Sequence, residues 1–182
     1  NTGTDRLGER LVEVASPQAW RDSYEGYGRF FFLVNTPRLV VASAPLFGVG
    51  LGNFGGGVAA ALSNTRTYDR LKIPFGIEGN YGQIDNSWFA IWGETGTLGL
   101  IAWGSILFFV IRTASALMKR THDAWTIALA RGVIGVTIGI SVIAFFGPYF
   151  EFRTLMFYFW LLAGMMVTLW RRETTRWNFL HA

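Results

Sequence analysis

The sequence predicts an all-α integral membrane fold: three transmembrane helices preceded by an extracytoplasmic loop region with short interfacial helices. Three observations carry this. The 182 residues are 51% hydrophobic and 16% aromatic. Only 15% are charged, against about 25% in soluble domains. The C-terminal half holds three long uncharged runs, and the N-terminal half holds none that a single helix can carry across a bilayer. The length suits about one domain. There is no Cys, so disulfides and thiolate chemistry are excluded. Residue 1 is Asn and no signal peptide opens the chain, which reads as a fragment with further spans upstream.

Taken in order, "DRLGERLVEV" (residues 5–14) reads as a short amphipathic helix. The apolar stretch "FFFLVNTPRLVVASAPLFGVG" contains Pro37, Arg38 and Pro45. Two prolines and a charge argue against a spanning helix, so an interfacial helix over Arg38–Ser43, with a turn before it, is expected. The uncharged runs are Thr95 to Ile111, Gly132 to Phe150 and Thr154 to Trp170, of 17, 19 and 17 residues. With their flanks each approaches the roughly 20 residues that a spanning helix needs. Arg112 and Arg131 sit near ends, where their heads can snorkel to the interface.

Charge then orients the chain. Residues 1–96 carry eight Lys/Arg and nine Asp/Glu; residues 97–182 carry eight and three. The basic residues of the second half cluster in "KRTHD" between the first two runs and "RRETTR" after the third. The positive-inside rule places both in the cytoplasm. The turn at Gly147-Pro148, and everything before Thr95, then faces outward. The expected organisation is a loop region over 1–96, a three-span region over 97–172 and a cytoplasmic tail over 173–182.

Residues Gly50 to Gly55, within "LFGVGLGNFGGG", fit the dinucleotide pattern G-x-G-x-x-G, and Asp69 follows 19 residues after Gly50. The pattern works only where a buried strand runs through a tight turn into a helix. Here Pro45 interrupts the strand, only "VAAAL" is left for the helix, and no second strand ends at Asp69. A nucleotide site is therefore set aside. Gly48, Gly50 and Gly52 are expected to shape a loop, either as a tight turn or as a cradle of backbone N–H groups around an anionic head group.

Asp85-Asn86 is followed by nine residues and then Gly96-Thr97-Leu98-Gly99. Asp85 or Ser87 reads as a helix cap at the mouth of the first span. This stretch, with Arg29, the "PLFGVGLGNF" run after fifteen intervening residues, and Glu94-Thr95-Gly96, resembles the O-antigen ligase and O-antigen polymerase superfamily of bacterial envelope proteins. The resemblance covers about Gly28 to Gly164. Ligases of that family carry a His where this chain has Asp85, and His122 and His181 fall on the cytoplasmic side. Asp in that place resembles the polymerase and exopolysaccharide branches.

The resemblance implies transfer of a glycan from a polyprenyl-pyrophosphate carrier to an acceptor sugar hydroxyl. It implies a reaction without a metal or other cofactor, at the outer face of the bacterial inner membrane. The partners are then the lipid-linked glycan, an acceptor glycan or lipid, and the bilayer. Without a metal, charge on the leaving pyrophosphate must meet fixed cations, and the planar Arg fork suits phosphate. Arg29, Arg38 and Arg153 are the candidates. Asp85, and second to it Glu94, are candidate general bases for the acceptor hydroxyl; nine residues apart, they are expected to share a helix face. Tyr81 and Trp88 can stack on sugars or belong to an interfacial belt. The alternatives are a ligase with a non-His base and a transporter or other non-catalytic membrane subunit. Nucleic acid is not an expected partner, because topology already explains the basic clusters.

Overall fold

The computed structural model describes residues 16–180; the helix expected over 5–14 lies outside them. The described chain is mostly helical, with a small module of short elements followed by a bundle of three long helices. The module opens with α1 (Pro17–Glu25), capped by Ser16, whose hydroxyl accepts the Ala19 N–H at 3.1 Å. Pro17 stands in the first turn, where a missing N–H costs nothing. The α2 helix follows at Arg29–Asn35. Its Phe30 and Phe31 rings meet Trp20 and Tyr24 of α1 at centroid separations of 5.0 and 5.5 Å.

The expected helix over Arg38–Ser43 is corrected here. Helical backbone begins at Arg29, passes through a π-helical turn over Thr36–Val41 and ends at Ser43. Pro37 accounts for the widened turn: it has no N–H to give, and its ring crowds the carbonyl four residues back.

After a glycine-rich loop come α3 (Gly57–Ala61), α4 (Arg66–Leu71) and a two-residue hairpin, β1 (Gly76–Ile77) against β2 (Asn80–Tyr81). In the hairpin Gly76 faces Tyr81 and Ile77 faces Asn80. Phe32, Val40, Phe54, Tyr68, Ile73, Ile84 and Ala90 form the module's core. Tyr68 holds it together. Its ring stacks on Phe54 at 5.4 Å, and its hydroxyl accepts from Gly55 N–H at 2.7 Å and donates to the Gly82 carbonyl at 3.2 Å. Burial, above all, pushes the Tyr68 phenol up to about 12.

The three long helices are α5 (Ser87–Met118), α6 (Ala124–Ile143) and α7 (Arg153–Leu180). All three contain stretches long and apolar enough to cross a membrane. Only 17%, 28% and 22% of their most apolar windows are buried, so most of that surface is left for lipid or for other helices. Asn86, not Ser87 or Asp85, caps α5, accepting the Phe89 N–H at 3.1 Å. Ser87 instead fastens α5 to the α6–α7 turn: its hydroxyl donates to the Gly147 carbonyl at 2.7 Å and accepts the Phe150 N–H at 3.2 Å. That turn ends in a 3-10 helix, Tyr149–Glu151. The α7 helix runs past Arg172, where a tail was expected, because "RRETTRWNFL" contains no Gly or Pro to stop it. At the end of the bundle away from the module, Arg120 lies 4.3 Å over the Trp170 ring and donates to Thr174 Oγ1 at 3.1 Å. The two basic clusters therefore share one end.

Candidate functional site

The site grows from a break in α5. Gly96 adopts φ 68°, ψ −170°, so helical geometry stops there and resumes at Thr97. A break leaves carbonyls without N–H donors on one side and N–H groups without carbonyls on the other, which is costly in or near hydrocarbon. The glycine loop supplies both. Val49 and Gly50 N–H donate to the Gly93 and Glu94 carbonyls, each at 2.9 Å. Thr97 and Leu98 N–H donate to the Pro45 and Leu46 carbonyls at 2.9 and 3.2 Å. The two backbones approach so closely at Gly48 and Gly96 that a Cβ on either would overlap main-chain atoms of the other segment. Both residues have positive φ as well. After the break, 97–118 retains 22 residues, about 33 Å of helix, enough to cross the hydrocarbon core.

Glu94, the last but one residue before the break, turns its carboxylate back into the loop. Its Oε1 accepts Gly52 N–H at 2.8 Å and Phe54 N–H at 3.5 Å. From the α6–α7 turn, Glu151 Oε2 accepts the Gly57 N–H. Glu151 is exposed as a residue, but its carboxyl end turns inward against the loop. Burial raises that carboxyl above its ordinary value, against the lowering effect of the Gly57 N–H. An alanine methyl at Gly56 would stand 2.8 Å from Glu151 Oε1 and 3.4 Å from Glu94 Oε1. The two oxygens are thus within about 6 Å of each other, close enough for like charges to interact.

Both carboxylates line a cavity of about 910 Å³, inside the range of roughly 300–1,000 Å³ typical of ligand pockets. Gln83, Thr95 and Arg153 add to its polar part. Its other wall is apolar and follows α5 past the break, through Gly99, Ala102, Trp103 and Ile106. A second cleft of about 170 Å³ is lined by Arg29, Asp85, Asn86, Phe145 and Phe146. There Arg29 Nε and Nη2 both lie 3.0 Å from Asp85 Oδ2. The Arg29 side chain is 60% exposed and that of Asp85 22%.

The candidate residues therefore fall into two groups. Arg29 and Asp85 meet across 56 positions of sequence, and Glu94 and Arg153 share the larger cavity. Asp85 and Glu94 do not share a helix face, because Asp85 precedes the cap of α5. Arg38 is exposed on the π-helical turn and lines neither cavity. Tyr81 is exposed on β2. Trp88 is structural: its indole N–H donates to the Ser141 carbonyl at 2.8 Å and its ring packs on Phe150.

Glu151 escaped the sequence analysis. Its one signal was an acid flanked by two Phe residues in the turn between two spans. Gly48, Gly50 and Gly52 all have positive φ, as loop shapers do. The N–H groups of Gly50, Gly52 and Gly55 go to the Glu94 carbonyl, the Glu94 carboxylate and the Tyr68 hydroxyl. The dinucleotide pattern is likewise excluded as a fold. The strands among the described residues are two antiparallel pairs of residues, and Asp69 sits in α4, bonded by Thr65 Oγ1 at 2.7 Å. Among the described residues no three His, Asp or Glu side chains gather as a metal ion would need.

Set against family models, curated proteins and solved structures, the chain matches none.

Proposed function

We propose that the chain belongs to a membrane glycan polymerase of the bacterial inner membrane. It would transfer an oligosaccharide from a polyprenyl-pyrophosphate carrier to an acceptor sugar hydroxyl at the outer face. The observation that carries this reading is the two-part cavity at the α5 break, acidic and basic at the loop end and apolar along the helix. From Gly99 to Ile106 the apolar wall descends about 10 Å along the helix. A substrate with a polar head and a long hydrocarbon tail fits such a wall. A soluble sugar nucleotide has no use for it.

The chemistry follows from the same residues. As the anomeric C–O bond breaks, negative charge collects on the pyrophosphate, and fixed cations stabilise that charge most in a site that excludes water. Arg153 offers one at the cavity, and Arg29 offers another in the second cleft. Arg29 keeps donors for a phosphate because Asp85 engages only its Nε and Nη2, which leaves the Nη1 hydrogens to give. The outward orientation of this end is supported by the basic residues, which gather at the opposite end of the bundle around Arg120 and Trp170.

The test uses full-length protein in vesicles supplied with the lipid-linked oligosaccharide fraction extracted from its own cells. Donor consumption with a ladder of products is expected. Arg29→Ala and Asp85→Ala are expected to abolish the ladder while insertion into the membrane stays normal. Normal chain lengths in either variant would refute the role given to that pair. Glycan appearing on a lipid acceptor instead of a ladder would turn the reading into that of a ligase.

A further inference from the structure

The larger cavity brings together two carboxylates that the proposed transfer has not yet used. Glu94 Oε1 and Glu151 Oε2 are held by loop amides. Glu94 Oε2 and Glu151 Oε1 accept nothing from the described residues, and neither carboxylate is in an ion pair there. What lies between them is Gly56, whose missing side chain leaves the gap open. Gln83, Thr95 and Arg153 also line this cavity with polar side chains.

Size and access favour this cavity for the sugar that attacks. The cleft holding Asp85 is about 170 Å³, below the roughly 300 Å³ at which ligand pockets begin, and Asp85 is engaged with Arg29. The cavity holding Glu151 is about five times larger. Glu151 sits on the turn after Pro148 with an exposed face, so a proton taken there has a path to water.

We propose that Glu151 is the base that takes the proton from the acceptor hydroxyl, while Glu94 receives a neighbouring hydroxyl of the same sugar. This rests on the glycan-transfer reading above. The acceptor O–H gives its proton to a Glu151 oxygen, and its oxygen lone pair forms the new bond to the anomeric carbon. The bond from that carbon to the pyrophosphate oxygen breaks, and its electron pair leaves on the pyrophosphate opposite Arg153. Burial raises the affinity of the Glu151 carboxyl for protons, which makes it a stronger base than an exposed carboxylate.

The experiment compares wild type, Glu151→Gln, Glu151→Asp and Arg29→Ala, each as full-length protein in vesicles. The donor is the polyprenyl-pyrophosphate-linked oligosaccharide fraction from the same cells. Glu151→Gln is expected to lower kcat by about 10²–10⁴-fold, the usual contribution of a general base, with KM for the donor unchanged. The acidic limb of the pH–rate profile should vanish with it, and Glu151→Asp should restore part of kcat with that limb displaced. The melting temperature of Glu151→Gln should not fall, because a neutral amide loses less on burial than a carboxylate. Turnover of Glu151→Gln within about threefold of wild type, with Arg29→Ala inactive, overturns the assignment of the base and leaves the transferase reading intact. An unchanged pH profile in Glu151→Asp overturns it too. Failure of wild type itself to consume the donor overturns both.

Discussion

Gly96→Ala tests whether the break in α5 is held by the glycine loop. The new methyl would run into the Leu46 carbonyl, which is main chain and has nowhere to rotate. The residue would also have to hold φ 68°, ψ −170°, a region open almost only to Gly, which costs an L-residue about 1–3 kcal/mol. Relief of the clash separates residues 45–50 from 93–98, and with them four backbone hydrogen bonds, each contributing about 1 kcal/mol net. The expected loss is about 5 kcal/mol, or about 10–20 °C in Tm for a chain of this size. Gly104, farther along the same helix, has no heavy atom within 4 Å of a built Cβ and no strained dihedral. Gly104→Ala should therefore be neutral or gain up to about 1 kcal/mol from helix propensity. The assay is thermal unfolding in mild detergent followed by tryptophan fluorescence, with limited proteolysis of the Pro45–Gly57 loop as a local readout. Equal stability of the two variants, with the loop equally protected, would refute the reasoning.

Two further outcomes are expected. Tyr68→Phe strands the buried Gly55 N–H and Gly82 carbonyl and should cost about 1–3 kcal/mol by the same unfolding assay. The folded phenol titrates near 12, above its ordinary 10.0. The stability it contributes is thus complete below pH 10.0 and lost as pH rises through about 12; Tyr68→Phe should remove this alkaline limb. At the α6 cap, the Thr126 hydroxyl first, and then its N–H, hold the Asp123 carboxyl below its ordinary value. Its contribution is present above the ordinary Asp value and lost as pH falls through the lowered one. Asp123→Asn should flatten that acidic limb, as measured by unfolding across pH.

The spans were legible because length and missing charge suffice to mark them, and the basic clusters announced which helix ends lie together. Arg29 and Asp85 were legible as separate candidates, a cation for phosphate and a base, but not as a pair, because 56 positions lie between them. The cap was misplaced by one residue, since Asp85, Asn86 and Ser87 are all good caps and the choice is made by Gly147, which claims the Ser87 hydroxyl. The break at Gly96 could not be read. A lone glycine is tolerated in many helices, and what opens the helix is Gly48, nearly fifty positions earlier. Glu151 was hidden for the same reason: its partner Gly57 lies 94 positions away. Pattern along the chain reveals what neighbours decide and is silent on pairings made across the fold.

The backbone pairing between 45–50 and 93–98 also constrains how the protein is made. The loop leaves the ribosome before α5, so it is already made when α5 arrives. Were α5 to enter the bilayer without it, bare amides and carbonyls at Gly96 would face lipid. Seating of α5 and closure of the loop are accordingly coupled, because the backbone around Gly96 finds its partners only with the loop in place.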